Sequence, residues 1–156
     1  MSNPKFHIKT ELWAELMAQL KKKGKCKRET GAFLLGKAGD TKITSFICYD
    51  ELDPHVFDTG IIVFNGNGFI PLWKHCIDNK LKVLADVHTH PGEWTGQSFS
   101  DKLHPMVPQR GHLAFIVPSF ACNKNQLLNG VGIHEFLGKR KWKSYKEESG
   151  IVQIEN

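Results

Sequence analysis

Two histidines one residue apart, His88 and His90, sit in Ala85-Asp86-Val87-His88-Thr89-His90-Pro91, and Asp101 follows after ten intervening residues. In an extended strand alternate residues share a face, which sets the two imidazoles side by side about 7 Å apart along the backbone. Neutral imidazoles bind divalent metals, and a nearby carboxylate supplies a third donor. Two histidines, one carboxylate and an open fourth position form the donor set of a catalytic zinc site rather than a structural one. A lone His-x-His on a strand is common, and a lone loop Asp carries no signal. The weight lies in the longer pattern: His-x-His-Pro, then Ser98-Phe99-Ser100-Asp101, with Glu29 upstream. Asp86 shares the histidines' strand face, which suits it either to hydrogen-bond a ligand imidazole or to be solvated at the sheet edge. Trp94, in the loop before Asp101, is placed to contact substrate or to pin that loop.

The elements that must position these residues can be read from periodicity. Residues 81–87 are apolar and β-branched and are closed by Pro91-Gly92, as expected of a buried strand. Residues 5–9 alternate as a short edge strand. Thr10 is placed to cap a helix whose Leu12, Trp13, Leu16, Met17 and Leu20 make one apolar stripe. Gly24 is its stop. Strands are expected at 29–37 and 41–49, joined as an antiparallel hairpin; residues 50–65 carry mostly loop chemistry, with 61–64 compatible with a further short strand that the element order below leaves out. A second amphipathic helix is expected at about 68–79. Further strands are expected at 112–117, 131–137 and 142–145, and a helical turn beginning at Ser100-Asp101. The order β-α-β-β-α-β-β-β-β fits an α/β sandwich with a mixed sheet between helices.

At 156 residues the chain is expected to form one domain, spanning 1–156, with a sizeable core. No apolar run approaches the roughly eighteen residues of a membrane span, and the first residues lack a signal-peptide layout. A cytoplasmic protein with no membrane partner is the expectation. Cys26, Cys48, Cys76 and Cys122 are scattered without a pairing motif, so reduced, buried thiols are expected. The net charge of +5 comes with dense clusters at Lys21-Lys22-Lys23 and Lys139-Arg140-Lys141. Such runs usually form a solvated face, and no nucleic-acid-binding module accompanies them.

On Glu29, His88, His90, Ser98 and Asp101, and on Glu29-Thr30-Gly31-Ala32-Phe33-Leu34-Leu35-Gly36 as an early strand, the sequence resembles the JAB/MPN (JAMM) zinc metalloproteases. The resemblance runs from about Phe6 to Leu137. It implies a JAB/MPN-like (cytidine-deaminase-like) sandwich with a mixed, mostly antiparallel sheet flanked by helices. It also implies one Zn2+ per chain on His88, His90 and Asp101, with Glu29 as proton shuttle and Ser98 as oxyanion donor. The implied reaction is cleavage after the C-terminal glycine of a ubiquitin-like protein, either from a conjugate or from a precursor. The compact form is similar to bacterial stand-alone JAB deconjugases, found with E1/E2-like proteins in ubiquitin-type and antiphage operons. Sulfur-carrier processing and a non-catalytic MPN-type scaffold are the alternative readings, and the complete five-residue motif argues against the scaffold.

Overall fold

The computed structural model describes residues 3–156. Its centre is a six-stranded sheet in the order β4 (Ser45–Cys48), β2 (Gly31–Lys37), β5 (Leu81–Thr89), β6 (Leu113–Val117), β7 (Gly132–Gly138), β8 (Lys141–Tyr145). Every neighbouring pair is antiparallel except β5–β6, which is parallel. A small parallel sheet joins β3 (Lys42–Ile43), β1 (Phe6–Lys9) and β9 (Val152–Glu155). The fold is thus mixed α/β, with helices α1 (Thr10–Gly24) and α2 (Phe69–Asn79) packed against the central sheet.

One core lies under α1. Its stripe of Trp13, Leu16, Met17 and Leu20 packs with Leu34, Ala85, Val87 and Phe115. Glu11 in the first turn and Lys21, Lys22 and Lys23 in the last complement the helix dipole. The helix has no side-chain cap, because its N-cap position falls on Lys9, which offers no acceptor; Thr10 is its first helical residue and donates its hydroxyl to Asn156 Oδ1 at 3.1 Å. The other core lies under α2, where Leu72 and Cys76 meet Phe33, Leu35, Tyr49 and Val83.

Which face each β5 residue takes depends on a bulge. Leu34 pairs with Ala85 but Leu35 pairs with Val83, so Leu84 has no opposite number. An extra residue in one strand shifts the alternation by one. Val83 therefore points to the α2 core, while Ala85 and Val87 point to the α1 core. Asp86 and His88, beyond the bulge, are left on the α2 side.

Several elements differ from the sequence expectation. The strand at 41–49 splits at Thr44 into β3, which pairs with β1, and β4, which pairs with β2. Residues 61–64 form no strand. They run as an irregular segment tied by Val63 N–H to Val56 O, into a 3-10 turn at Gly66–Gly68 and then α2. β9 was not expected, since its four residues are legible only beside β1. The cysteines also depart from expectation: Cys26 and Cys122 are joined in a disulfide, and only Cys48 and Cys76 are buried free thiols. The pair lies 96 residues apart in sequence and meets because the turn after α1 and the turn after β6 are neighbours. Among the described residues no helix is long and apolar enough to cross a membrane.

Candidate metal centre

His88 is the penultimate residue of β5, and His90 follows the strand's end with its N–H still bonded to Val117 O. Asp101 comes from the short helix α3 (Phe99–Leu103), which the sequence starts with a reciprocal cap. Ser98 Oγ accepts the Asp101 N–H at 3.0 Å, and Asp101 Oδ2 accepts the Ser98 N–H at 2.9 Å. That cap aims the Asp101 carboxylate back at the strand. His88 Nε2 lies 3.2 Å from His90 Nε2 and 3.4 Å from Asp101 Oδ1, and His90 Nε2 lies 3.2 Å from Asp101 Oδ2.

These separations test the fit of a metal. Donors about 2.0–2.1 Å from a tetrahedral zinc stand about 3.3–3.4 Å from one another. The two imidazole nitrogens already stand about that far apart, and each has one oxygen of the Asp101 carboxylate at a similar distance. They form the one cluster of potential metal-binding side chains among the described residues. His90 Nδ1 is 3.2 Å from Trp94 O, an acceptor only, so Nδ1 carries the proton and Nε2 keeps its lone pair for the cluster. Burial would raise the Asp101 pKa, but the ring nitrogens of His88 and His90, which donate to it only while protonated and holding no metal, and the Ser98 N–H keep it well below the usual carboxylate range.

The cluster opens on a cavity of about 590 Å³ that Glu29, Ser98 and Trp94 also line. Glu29 lies two residues before β2, its N–H bonded to Gly60 O. It is half-buried and not one of the clustered donors. Burial pushes its carboxyl above the ordinary value, against the pull of His88 and His90 and a hydrogen bond from the Ile62 N–H. The Ser98 oxygen accepts from Asp101, which leaves its hydroxyl proton free to donate. Trp94 is 63% exposed and stacks on the His90 ring with centroids 5.7 Å apart. It pins the loop and presents its indole to the cavity.

Asp86 is the residue whose surroundings differ from expectation. Its carboxylate meets His112 Nε2 at 2.6 Å rather than a ligand imidazole, and both residues are buried. The parallel β5–β6 register sets Ala85 opposite Leu113, which brings His112, just before β6, alongside Asp86. Of the pair, Asp86 lines the cavity beside Tyr49, whose phenol pKa burial pushes well above its usual range. Two other contacts had no sequence signal. His134 on β7 holds the loop carbonyl of Thr95, and Gly31, opposite His88, leaves room for the Tyr49 ring. Nothing local marks either, since both depend on strand pairing.

No protein-family model matches the chain. Solved structures do. A protein from Desulfitobacterium hafniense is similar with a TM-score of 0.67 and 15% identity, over 97% of this chain and 94% of that one. A protein from Salinibacter ruber gives 0.60 and 12%, over 95% and 91%. A JAB1/MPN domain protein from Archaeoglobus fulgidus gives 0.52 and 16%, over 98% and 100%. Together with the sheet order and the flanking helices, these likenesses define the class: the chain has the JAB1/MPN fold. In that fold it carries a His-His-Asp group able to bind a metal ion.

Proposed function

We propose that this protein is a zinc-dependent isopeptidase or peptidase that cleaves after the C-terminal glycine of a ubiquitin-like protein. The observation that carries the reading is the meeting of two imidazoles and a carboxylate, with closest contacts of 3.2–3.4 Å, beside a half-buried glutamate in one cavity. A zinc ion on His88, His90 and Asp101 would supply Lewis acidity and bring the pKa of a water toward neutrality.

The remaining steps belong to the chain. Glu29, lining the same cavity, takes the proton of the attacking water and returns it to the departing amine as the C–N bond breaks. Ser98 donates a hydrogen bond from its hydroxyl to the oxyanion, a contribution of about 3 kcal/mol when one such donor is removed. Trp94 gives the incoming chain an exposed aromatic surface at the cavity mouth. An extended tail ending in glycine suits such a site, since it brings little side-chain bulk to the scissile bond. The partners on this reading are the ubiquitin-like protein, its conjugates, and E1/E2-like proteins of the same bacterial system.

The test is a ubiquitin-like protein from the same genomic neighbourhood, fused through its terminal glycine to a reporter. Wild type should cleave it and lose that activity to a chelator. Glu29→Gln should cut turnover by roughly 10²–10⁴-fold with metal content unchanged. His88→Ala should lose the metal as well. Wild-type turnover by Glu29→Gln refutes the mechanism, and metal binding without cleavage of any such fusion returns the scaffold reading.

A further inference from the structure

The loop between Gly92 and Ser98 carries the carbonyl that orients His90, yet it has few attachments to the rest of the molecule. Gly92 O receives Ser119 N–H at 3.0 Å. Beyond that, the loop is fastened to the sheet at Thr95. Thr95 Oγ1 donates to Gly130 O at 2.8 Å, and Thr95 O lies 2.9 Å from His134 Nε2. The carbonyl can only accept, so His134 Nε2 bears the proton. Its Nδ1 then accepts from the Ser144 hydroxyl at 2.7 Å, which fixes the ring from the neighbouring strand β8. His134 is buried at 5% exposure and lies outside the donor cluster.

β7 also makes room for this contact. A side chain at Gly132 would run into the Thr95 carbonyl oxygen, and its Cβ would stand 2.8 Å from His134 Nε2. Gly132 and His134 thus act on the same carbonyl from alternate positions of one strand face. The next carbonyl toward the N-terminus, Trp94 O, is the acceptor for His90 Nδ1. The two carbonyls belong to adjacent peptide planes that meet at the Thr95 α-carbon, so His134 holds the backbone one residue from the group that orients His90.

We infer that His134 is a positioning residue for the metal centre: by holding the Thr95 carbonyl it fixes the Trp94 carbonyl that orients His90 toward the metal. The inference rests on the reading of His88, His90 and Asp101 as metal ligands. It does not rest on the identity of the substrate. Outer partners of ligand histidines set ring orientation, and their loss typically weakens metal binding by about 10–100-fold.

The experiment compares His134→Phe, His134→Gln and Gly132→Ala in the full chain. Its readouts are zinc affinity by chelator competition, the visible spectrum of the cobalt(II)-loaded protein, and amide exchange across residues 93–97. His134→Phe should bind zinc about 10–100-fold more weakly, with an altered cobalt spectrum and faster exchange in the loop. His134→Gln places an amide N–H near the former Nε2 and should recover affinity to within about threefold of wild type. Gly132→Ala should weaken zinc binding with the imidazole intact. A purely structural role would lower thermal stability in His134→Phe without moving the cobalt spectrum. Wild-type zinc affinity in either His134→Phe or Gly132→Ala overturns the inference, as does a folded His134→Gln that binds no better than His134→Phe. Should His134→Phe fail to fold, Gly132→Ala and His134→Gln decide it. Affinity is read without turnover, so an inactive wild type that binds zinc refutes the proteolytic reading and leaves this one standing.

Discussion

From one strand, β5, the α1 face of the central sheet receives Ala85 and Val87, while the α2 face receives Asp86 and His88. On the α1 side these residues meet Leu20, Leu34 and Phe115 in a closed hydrocarbon core. On the α2 side the core is aromatic, with Phe33, Tyr49, Phe64 and Phe69 in tilted and edge contacts, and it gives way to a cavity lined by Asp86, which is paired with the buried His112. The difference teaches how a strand serves stability and chemistry together. The closed face fixes the backbone, and the fixed backbone lets the other face hold polar groups that have little packing of their own.

That comparison can be broken at its apolar side first. Phe115 is fully buried in the α1 core, and Phe115→Ala should cost about 3–5 kcal/mol of unfolding free energy while the folded fraction keeps its metal affinity. Denaturant unfolding and chelator competition on the same sample check both halves. A large loss of metal affinity in the folded protein would show that the two faces are not separable.

On the polar side, Asp86→Ala leaves His112 buried without its partner and should cost about 3 kcal/mol. Asp86→Leu combined with His112→Leu should recover much of that, because a packed apolar pair avoids the desolvation that the polar pair bears. Equal destabilisation by the single and double changes would mean that the polar contact itself outweighs its desolvation.

Chelation should have a smaller effect. The ligands come from β5, the residue after it, and one loop-borne turn, so metal removal should loosen residues 92–100 and leave the sheet folded. Far-UV circular dichroism should hardly change, while amide exchange rises in the loop. Collapse of the dichroism signal on chelation would place the metal among the determinants of the whole fold.

The smallest effect concerns pH. Burial first, and the nearby His88 and His90, lower the His134 pKa below its ordinary value of 6.5. A histidine with a depressed folded pKa contributes stability that is present above the unfolded value and is lost as pH falls through the folded value. The stability difference between wild type and His134→Gln should therefore shrink from about pH 7.5 toward about pH 5. A constant difference across that range, measured by urea unfolding, would show that His134 does not titrate with folding.

The strands and helices that local periodicity marks were largely legible. The α1 stripe, the β5 run and the second amphipathic helix announce themselves through side-chain spacing, which each segment carries without reference to the others. So did the meeting of His88, His90 and Asp101. Alternation in a strand fixes the first two, and the Ser98–Asp101 cap, a contact between residues three apart, aims the third. The fold class followed from the order of elements.

What the sequence left open depends on which distant segments lie side by side. The division of 41–49 between two sheets, the β9 strand, and the Cys26–Cys122 bridge across 96 residues are all decided by pairing. Asp86 meets His112 only because β5 and β6 are parallel in one register, and His134 holds Thr95 only because β7 passes beneath the metal loop. A residue's own neighbours in sequence set its local conformation, but the partner of a buried polar group is chosen by the packed chain. There, leaving such a group unpaired costs about 1–3 kcal/mol, and only the assembled sheets say which group satisfies it.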